Sequence, residues 1–435
     1  VLSQLNTRLA ERGTTLRKEV IGGITTFATM AYIVVVNPAI LSDALGKEWI
    51  GALVVATCVS AAVATLLMGW WADYPIALAP GMGLNAYFAY TVVLQNHIPW
   101  QVALAAVFVS GLLFVLLTVV NVQEILVTAI PLGIRNGTAA GIGIFIAFIG
   151  LQKCGFVISS PATMVMGGDV TSLPFLLTLG GIALTGGLTI RKVRGAFIIG
   201  ICATAVAGIA LGVSPMPERL FAIPDLPTEL FGQAILRLPD AFELGLVTIV
   251  VTFLFIDLFD TAGTLSGVGS AAGFVDAKGR LPRAKRAFLA DGVGTSIGAI
   301  MGTSTVTSYI ESAAGISQGA RSGIANLVTA ALFLLAIPFF PIAAALPGYA
   351  TAPALVVVGV MMCGQMRHVN WEDIAEGLPA VAVMIGIPLT FSIAEGLSFA
   401  IVLHPLILAL GGRWREVHWL NWLLAGLVVL RFALI

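Results

Sequence analysis

The chain has 435 residues, 58% of them apolar and 10% charged, with 22 basic side chains against 22 acidic ones. Its mean hydropathy is +1.01, whereas a soluble domain carries about 25% charged residues. These figures exclude a soluble globular fold and place most of the chain in lipid, although a net charge of zero says nothing about partners.

A crossing helix needs about 20 apolar residues, and such runs recur along the chain. Arg12, Arg17 and Lys18 precede the first run, which lacks the short apolar core and small-residue cleavage site of a signal peptide and reads as a first span. In the first half, spans are expected at 19–40, 50–70, 76–96, 101–120, 134–152, 172–190 and 195–213. A polar connection follows, 215–240, marked by Pro215, Pro217, Pro224, Pro227 and Pro239. The second half repeats the pattern at 243–264, 286–302, 305–320, 323–346, 351–366, 376–393 and 394–411, and a last apolar stretch, 417–434, reads either as a span or as an interfacial helix. With the amino terminus in the cytoplasm, every Lys and Arg except Lys47, Lys153, Arg219, Arg237 and the ambiguous Arg431 falls on the cytoplasmic side. That asymmetry supports fourteen crossings with both termini inside. The expected fold is therefore all-α and polytopic, with about 14 transmembrane segments.

The first span carries Thr25, Thr26, Thr29 and Tyr32 on a polar face, and Asn37-Pro38 is expected to end it. The third is broken by glycines and a proline, Leu78-Ala79-Pro80-Gly81-Met82-Gly83-Leu84-Asn85, with Phe88 placed to stack on a flat ring. In the second half the matching broken piece is Gly302-Thr303-Ser304-Thr305-Val306-Thr307-Ser308-Tyr309-Ile310-Glu311. Both breaks read as short extended pieces that turn into helix and offer free backbone N–H groups. Seven spans per half is an odd number, so the halves enter from opposite sides as inverted repeats, and their paired breaks, in spans 3 and 10, point to a substrate site near the midplane.

The strongest polar signal is Asp257 and Asp260, three residues apart on one side of the eighth span. Ionised carboxylates are costly in hydrocarbon, so these must face protein or water, find donors, or hold protons. Asp260 either shares that role or orients Asp257. Glu311, just beyond the hydroxyls of Ser304 and Thr305, is the second signal, and Asn85 stands in its place in the first repeat. Asp291 and Glu395, and Glu124, Glu372, Asp373 and Glu376 near span ends, read as structural or gating contacts. His97, His368, His404 and His418 have no metal-ligand spacing, and Cys58, Cys154, Cys202 and Cys363 read as ordinary buried thiols, so neither metal nor cofactor is expected. The basic run from Lys278 to Arg286 is expected to touch anionic membrane lipid, with no nucleic acid as partner. No phosphate-binding Gly-Lys-Ser/Thr loop occurs, so no ATP motor is built in.

Four stretches together resemble the AzgA-like purine permeases of the nucleobase/ascorbate transporter superfamily: Gly22 to Pro38, Ala79 to Phe88, Phe259-Asp260-Thr261-Ala262-Gly263-Thr264 and Thr307-Ser308-Tyr309-Ile310-Glu311-Ser312. The resemblance spans essentially the whole chain. It implies proton-coupled symport of adenine, guanine or hypoxanthine into the cell, with no enzymatic reaction. It implies a core domain of spans 1 to 4 and 8 to 11 (1–120 and 241–346) and a gate domain of spans 5 to 7 and 12 to 14 (121–240 and 347–435). Asp257 and Glu311 would contact the purine, Asn85 would support the site, and Asp260 would assist coupling or helix position. A homodimer through the gate is compatible with this pattern. The residues alone leave open another nucleobase such as xanthine or uracil, a small anion, or a channel.

Overall fold

The computed structural model describes residues 2–122, 130–224, 228–242, 244–276 and 281–434. Glu124, Pro227, Lys278, Gly279 and Arg280 lie outside them. A short amphipathic helix, α1 (Leu2–Glu11), precedes the first crossing, which is built from α2 (Leu16–Met30) and α3 (Ile33–Leu45). Thr15 caps α2 by accepting the Lys18 N–H at 3.4 Å. The second span is α4 (Ile50–Leu67) with a π-helical turn, Met68–Ala72. The third consists of β1 (Leu78–Pro80), α5 (Met82–Ala86) and a second π-helical stretch, Tyr87–Gln95. Then come α6 (Trp100–Val119), α7 (Leu132–Lys153), α8 (Leu173–Ile190) and α9 (Ala196–Ala210).

The polar connection holds a short helix, α10 (Gln233–Leu236). The second half runs through α11 (Leu244–Ala271), α12 (Ala284–Met301), β2 (Val306–Ser308), α13 (Ser312–Ser317), α14 (Ile324–Ala336), α15 (Phe340–Ala345), α16 (Gly348–Cys363), α17 (Ile374–Thr390) and α18 (Ile393–Leu410). Each of the fourteen expected crossings thus has an element of its own, and α19 (Trp419–Leu434) follows as a further helix packed on α18. Nine helical stretches among the described residues are long and apolar enough to cross a membrane. The chain is a multi-pass helical membrane protein. Leucines such as Leu112, Leu116, Leu176 and Leu179 point outward, as lipid contact requires.

Three details depart from the sequence expectation. The first span does not end at Asn37-Pro38: α3 carries Pro38 in its interior, and the break lies earlier, at Ala31–Tyr32. A proline removes one helix hydrogen bond, which a buried span tolerates when neighbours compensate. Asn37 is tied instead to the neighbouring spans, donating from Nδ2 to Thr57 Oγ1 at 2.8 Å and Thr303 Oγ1 at 3.0 Å. Second, Val157–Ser160 and Met164–Gly167 form an antiparallel hairpin between spans 5 and 6, a segment to which the sequence pattern assigns no element. Third, Cys202 lies exposed on α9 and Cys363 half-buried at the end of α16, rather than buried like Cys58 and Cys154.

The packing follows small residues. α7 packs on α16, where Gly143 and Gly359 face each other. A Cβ on Gly143 would stand 2.5 Å from Gly359 O, and one on Gly359 would stand 2.4 Å from Gly143 O, so this crossing admits no side chain on either partner. α7 also contacts α17, while α6, α12, α4, α14 and α2 pack on one another in that order.

At the end of the bundle that carries the amino terminus, Asp73 follows the π-turn in a left-handed conformation, φ +54°. Its carboxylate pairs with Arg12, lies 3.2 Å from Arg283 NH1, and accepts the Gly323 N–H at 2.9 Å. Partial burial works against its charge, but the Arg12 and Gly323 hydrogen bonds and the nearby Arg283 outweigh it and hold the carboxyl below the usual aspartate range. A depressed carboxyl stabilises the fold above its unfolded pKa, about 3.9, and loses that contribution as pH falls through the folded value. Asp73→Asn keeps the shape and tolerates the left-handed backbone. It is expected to lower stability at pH 7 by on the order of 1 kcal/mol, as for a partly screened network. Thermal unfolding of the purified protein checks this, and the gap from wild type should close below about pH 4.

Candidate functional site

The two broken spans meet. β1 and β2 pair antiparallel in the register Leu78 with Ser308, Ala79 with Thr307 and Pro80 with Val306. Gly81 N–H donates to Thr305 O at 3.0 Å and Tyr309 N–H to Ala77 O at 3.0 Å, so the ladder runs through residues 77, 79 and 81. By the alternation of an antiparallel pair, Leu78, Pro80, Val306 and Ser308 turn their backbone groups outward. A two-stranded sheet has two edges, and in a membrane interior each outward N–H and C=O needs a partner.

A two-fold axis through the Ala79–Thr307 pair exchanges Leu78 with Val306 and Pro80 with Ser308. The partners obey the same exchange. Thr65 of α4 accepts the Leu78 N–H and donates to Leu78 O, both at 2.9 Å. Thr295 of α12 accepts the Val306 N–H at 3.2 Å and stands 2.9 Å from Val306 O. At the exchanged ends the two differ. Ser308 donates its hydroxyl to Asp291 Oδ1 at 3.1 Å, whereas Pro80 has no N–H to satisfy and its carbonyl accepts the Tyr309 hydroxyl at 2.5 Å. Asp291 precedes Thr295 by four residues, and Ala61 takes that place before Thr65.

The sequence-derived residues collect around this pair. Thr295 Oγ1 also lies 2.9 Å from Asp257 Oδ2, and Asp257 is buried. Asn85, at the end of α5, accepts the Ser304 hydroxyl on Oδ1. Thr261 and Thr307 share a hydroxyl hydrogen bond at 3.0 Å, and the half-buried Asp260 lies beside Thr307. Glu311, half-buried, accepts the hydroxyl of the fully buried Tyr32 on Oε1 at 2.7 Å. Phe88 is buried one turn beyond Asn85. Thr26 instead packs α2 against α13: a Cβ on Gly315 would stand 2.1 Å from its hydroxyl. Arg321 does not pair with Glu311, since its guanidinium donates to Ile316 O and Ala320 O and its N–H to Glu19 Oε1 at 2.8 Å.

Four buried polar atoms here have no hydrogen-bond partner among the described residues: Asn85 Nδ2, Thr305 Oγ1, Asp257 Oδ1 and Asp291 Oδ2. An unsatisfied buried group costs about 1–3 kcal/mol, so four around one strand pair mark a place where a polar ligand, water or a proton completes the bonding. A groove of about 1370 Å³ is lined by residues of α11, α18 and α19, with Tyr87, Thr252 and Phe255 among its walls.

Sequence reasoning set Asp291 aside as a structural or gating contact, and the fold brings it to the same strand as Asp257. Its signal was the rule already applied to Asp257, a carboxylate inside an apolar span. Thr65 and Thr295 gave no comparable signal, because buried threonines commonly bond only to their own helix; Asn326, an amide inside an apolar span, did carry one and was not singled out.

A sequence model described as the Permease family matches residues 17–400. The chain belongs to this family. Its relatives agree with the AzgA-like resemblance. It is 43% identical over 417 residues to the guanine/hypoxanthine permease PbuG of Bacillus subtilis, covering 94% of each chain. It is 40% identical over 428 residues to the adenine permease AdeP of Escherichia coli, covering 98% of this chain and 95% of that one. Among solved structures, the transmembrane domain of the cyanobacterial bicarbonate transporter BicA matches with TM-score 0.63 at 16% identity, over 87% of this chain and 97% of that one. The murine anion transporter Slc26a9 in its inward-facing state matches with TM-score 0.62 at 10% identity, over 91% and 68%. These two share the fold. The chain is a transporter, not an enzyme.

The strand pair hangs on one amide. Asn326 Nδ2 of α14 lies within reach of Thr65 O at 3.0 Å, Tyr74 O at 3.1 Å and Ile76 O at 2.9 Å, fixing the segment that leads into β1. Asn326→Ala leaves these carbonyls short of a donor and is expected to destabilise the protein by about 1–3 kcal/mol. The thermal midpoint of the purified variant checks this.

Proposed function

We propose that this permease imports purine nucleobases together with protons, taking adenine, guanine or hypoxanthine at the β1–β2 pair. The observation that carries the reading is the cluster of unpartnered groups. Asn85 Nδ2 offers a donor, Asp257 Oδ1 an acceptor and Thr305 a hydroxyl, with Glu311 adding a second carboxylate. A purine is flat, neutral and edged with alternating donors and acceptors, which such a mixed set can match in one plane. Phe88 is placed to flank the ring, and Asp260 to assist coupling. The names of the relatives, guanine/hypoxanthine and adenine permeases, favour the purine over other nucleobases.

In this reading, spans 1 to 4 and 8 to 11 form the core that carries the site, and spans 5 to 7 and 12 to 14 form the gate against which it moves. Both termini face the cytoplasm. Contacts across that division support an outer end that is closed. Lys153 of α7 binds Asp43 of α3 at 2.6 Å, and Tyr90 donates to the same carboxylate oxygen at 2.7 Å. Thr91 donates to Phe391 O, and Gln95 to Thr390 O at 3.2 Å. Movement of the core would have to break these bonds. A proton on the buried acids and a purine at the same strands each favour the other's binding, which is the reciprocal coupling that symport requires.

Asp257→Asn in proteoliposomes is the direct test. Proton-driven purine uptake is expected to fall at least about tenfold, the equivalent of one charge-assisted hydrogen bond, in a variant that still folds and inserts. Unchanged coupled uptake would remove Asp257 from the mechanism. Comparing adenine, guanine, hypoxanthine, xanthine and uracil in the same assay at two pH values reads the substrate class.

A further inference from the structure

Thr295 has more bonding partners than a hydroxyl with one hydrogen can satisfy in a single arrangement. Its oxygen accepts the Val306 N–H at 3.2 Å, and two acceptors, Val306 O and Asp257 Oδ2, each stand 2.9 Å away. A hydroxyl supplies one donor and two acceptor lone pairs. If Asp257 is ionised, the single hydrogen serves either the carboxylate or the Val306 carbonyl, and the other goes short. If Asp257 Oδ2 carries a proton, it donates to the second lone pair of Thr295, which turns its own hydrogen to Val306 O, and all three contacts of the Thr295 hydroxyl are made at once. Thr65 shows the same two backbone bonds on the other strand, and among the described residues no carboxyl bonds to it.

We propose that Thr295 is a positioning residue, a hydroxyl rotor whose own hydrogen turns according to whether Asp257 holds a proton, and which thereby couples that protonation to the edge of the β1–β2 pair. With the proton bound, the Val306 carbonyl is held. When the proton leaves Asp257 Oδ2 for water, the Thr295 hydrogen turns to the carboxylate and the carbonyl is released. No other bond is made or broken. Val306 directly follows Thr305 and lies two residues from Ser304, the partner of Asn85, so the change arrives at the strand where the ligand groups sit. The titratable groups acting on Asp257 are Asp291 of α12 and Asp260 of its own helix; of the other elements packed on α11, α18 carries Glu395 and His404 and the turn Pro239–Phe242 carries Asp240, while α5, α6, α13 and β2 bring none.

This inference rests on the reading of Asp257 as a proton-coupling acid, and the test separates the two. Purine uptake into proteoliposomes is measured with and without an imposed pH gradient, alongside equilibrium binding of adenine and guanine. Thr295→Val is expected to lose the acceleration by the gradient while purine binding persists, and Thr295→Ser, which keeps the hydroxyl, to retain it. Thr65→Val is the control: it removes the equivalent pair of strand bonds and should lower the thermal midpoint while leaving the gradient response in place. A gradient response kept by Thr295→Val, or lost equally by Thr65→Val, overturns the rotor while leaving Asp257 in its role. A response kept by Asp257→Asn overturns both. Should Thr295→Val fail to fold, infrared difference spectra of the wild type decide. A protonated carboxyl band that disappears in Asp257→Asn is expected at the pH of transport, and its absence overturns the proposal.

Discussion

Six residues of extended backbone inside a membrane set the terms for everything around them. Lipid offers no hydrogen bonds, so a strand pair at that depth survives only if protein satisfies both of its edges. Helices α4 and α12 do so with one threonine each, Asn326 of α14 fixes the approach to β1, and Tyr309 closes the Pro80 carbonyl. The arrangement gives the buried Thr65, Thr295 and Asn326 of spans 2, 9 and 11 a structural reason, since each supports the strand pair or the approach to it. They exist so that the breaks in spans 3 and 10 can exist. Once the breaks are secured, side chains on them can present unpaired donors and acceptors to a solute, which a continuous helix cannot do with its backbone.

Much of this was legible in the sequence. The spans, the inverted halves and the position of both breaks followed from apolar run length, loop charge and glycine placement. Asn85, Ser304, Thr305, Asp257 and Glu311 could be singled out because polar groups in lipid are costly enough to need a reason. What escaped were relations between spans. Nothing in the local sequence distinguishes Thr295, which supports a strand and touches a carboxylate, from Thr118 or Thr138, which bond back to their own helices. Proline misled in the first span for a similar reason: Pro38 looks like a stop signal, yet Asn37 beside it is anchored to two other spans and the helix runs through. The burial of Thr26 against Gly315 likewise depends on how closely α2 and α13 approach, which spacing along one span does not reveal.

The two ends of the molecule are held by different means. At the end with the amino terminus, Asp73 gathers arginines from separate segments, Arg12 and Arg283, within the set of spans assigned to the core. At the opposite end, Lys153, Thr91 and Gln95 make bonds across the proposed division. Bonds of the first kind stiffen one body. Bonds of the second kind must be exchanged for others whenever that body moves, so their number sets a barrier to movement without adding to the rigidity of either part.

Pro80 carries a consequence for how the two halves divide their chemistry. It occupies the place that Ser308 holds in the other repeat, and as an imino acid it asks nothing of the helix behind it. Ala61 can therefore stand where Asp291 stands, and the first copy of the frame needs no carboxylate. The two halves thus differ at that one strand position, one meeting only a tyrosine hydroxyl and the other a carboxyl. The result is a frame made twice and charged once: both halves hold the strands, and the second does so beside carboxyl groups.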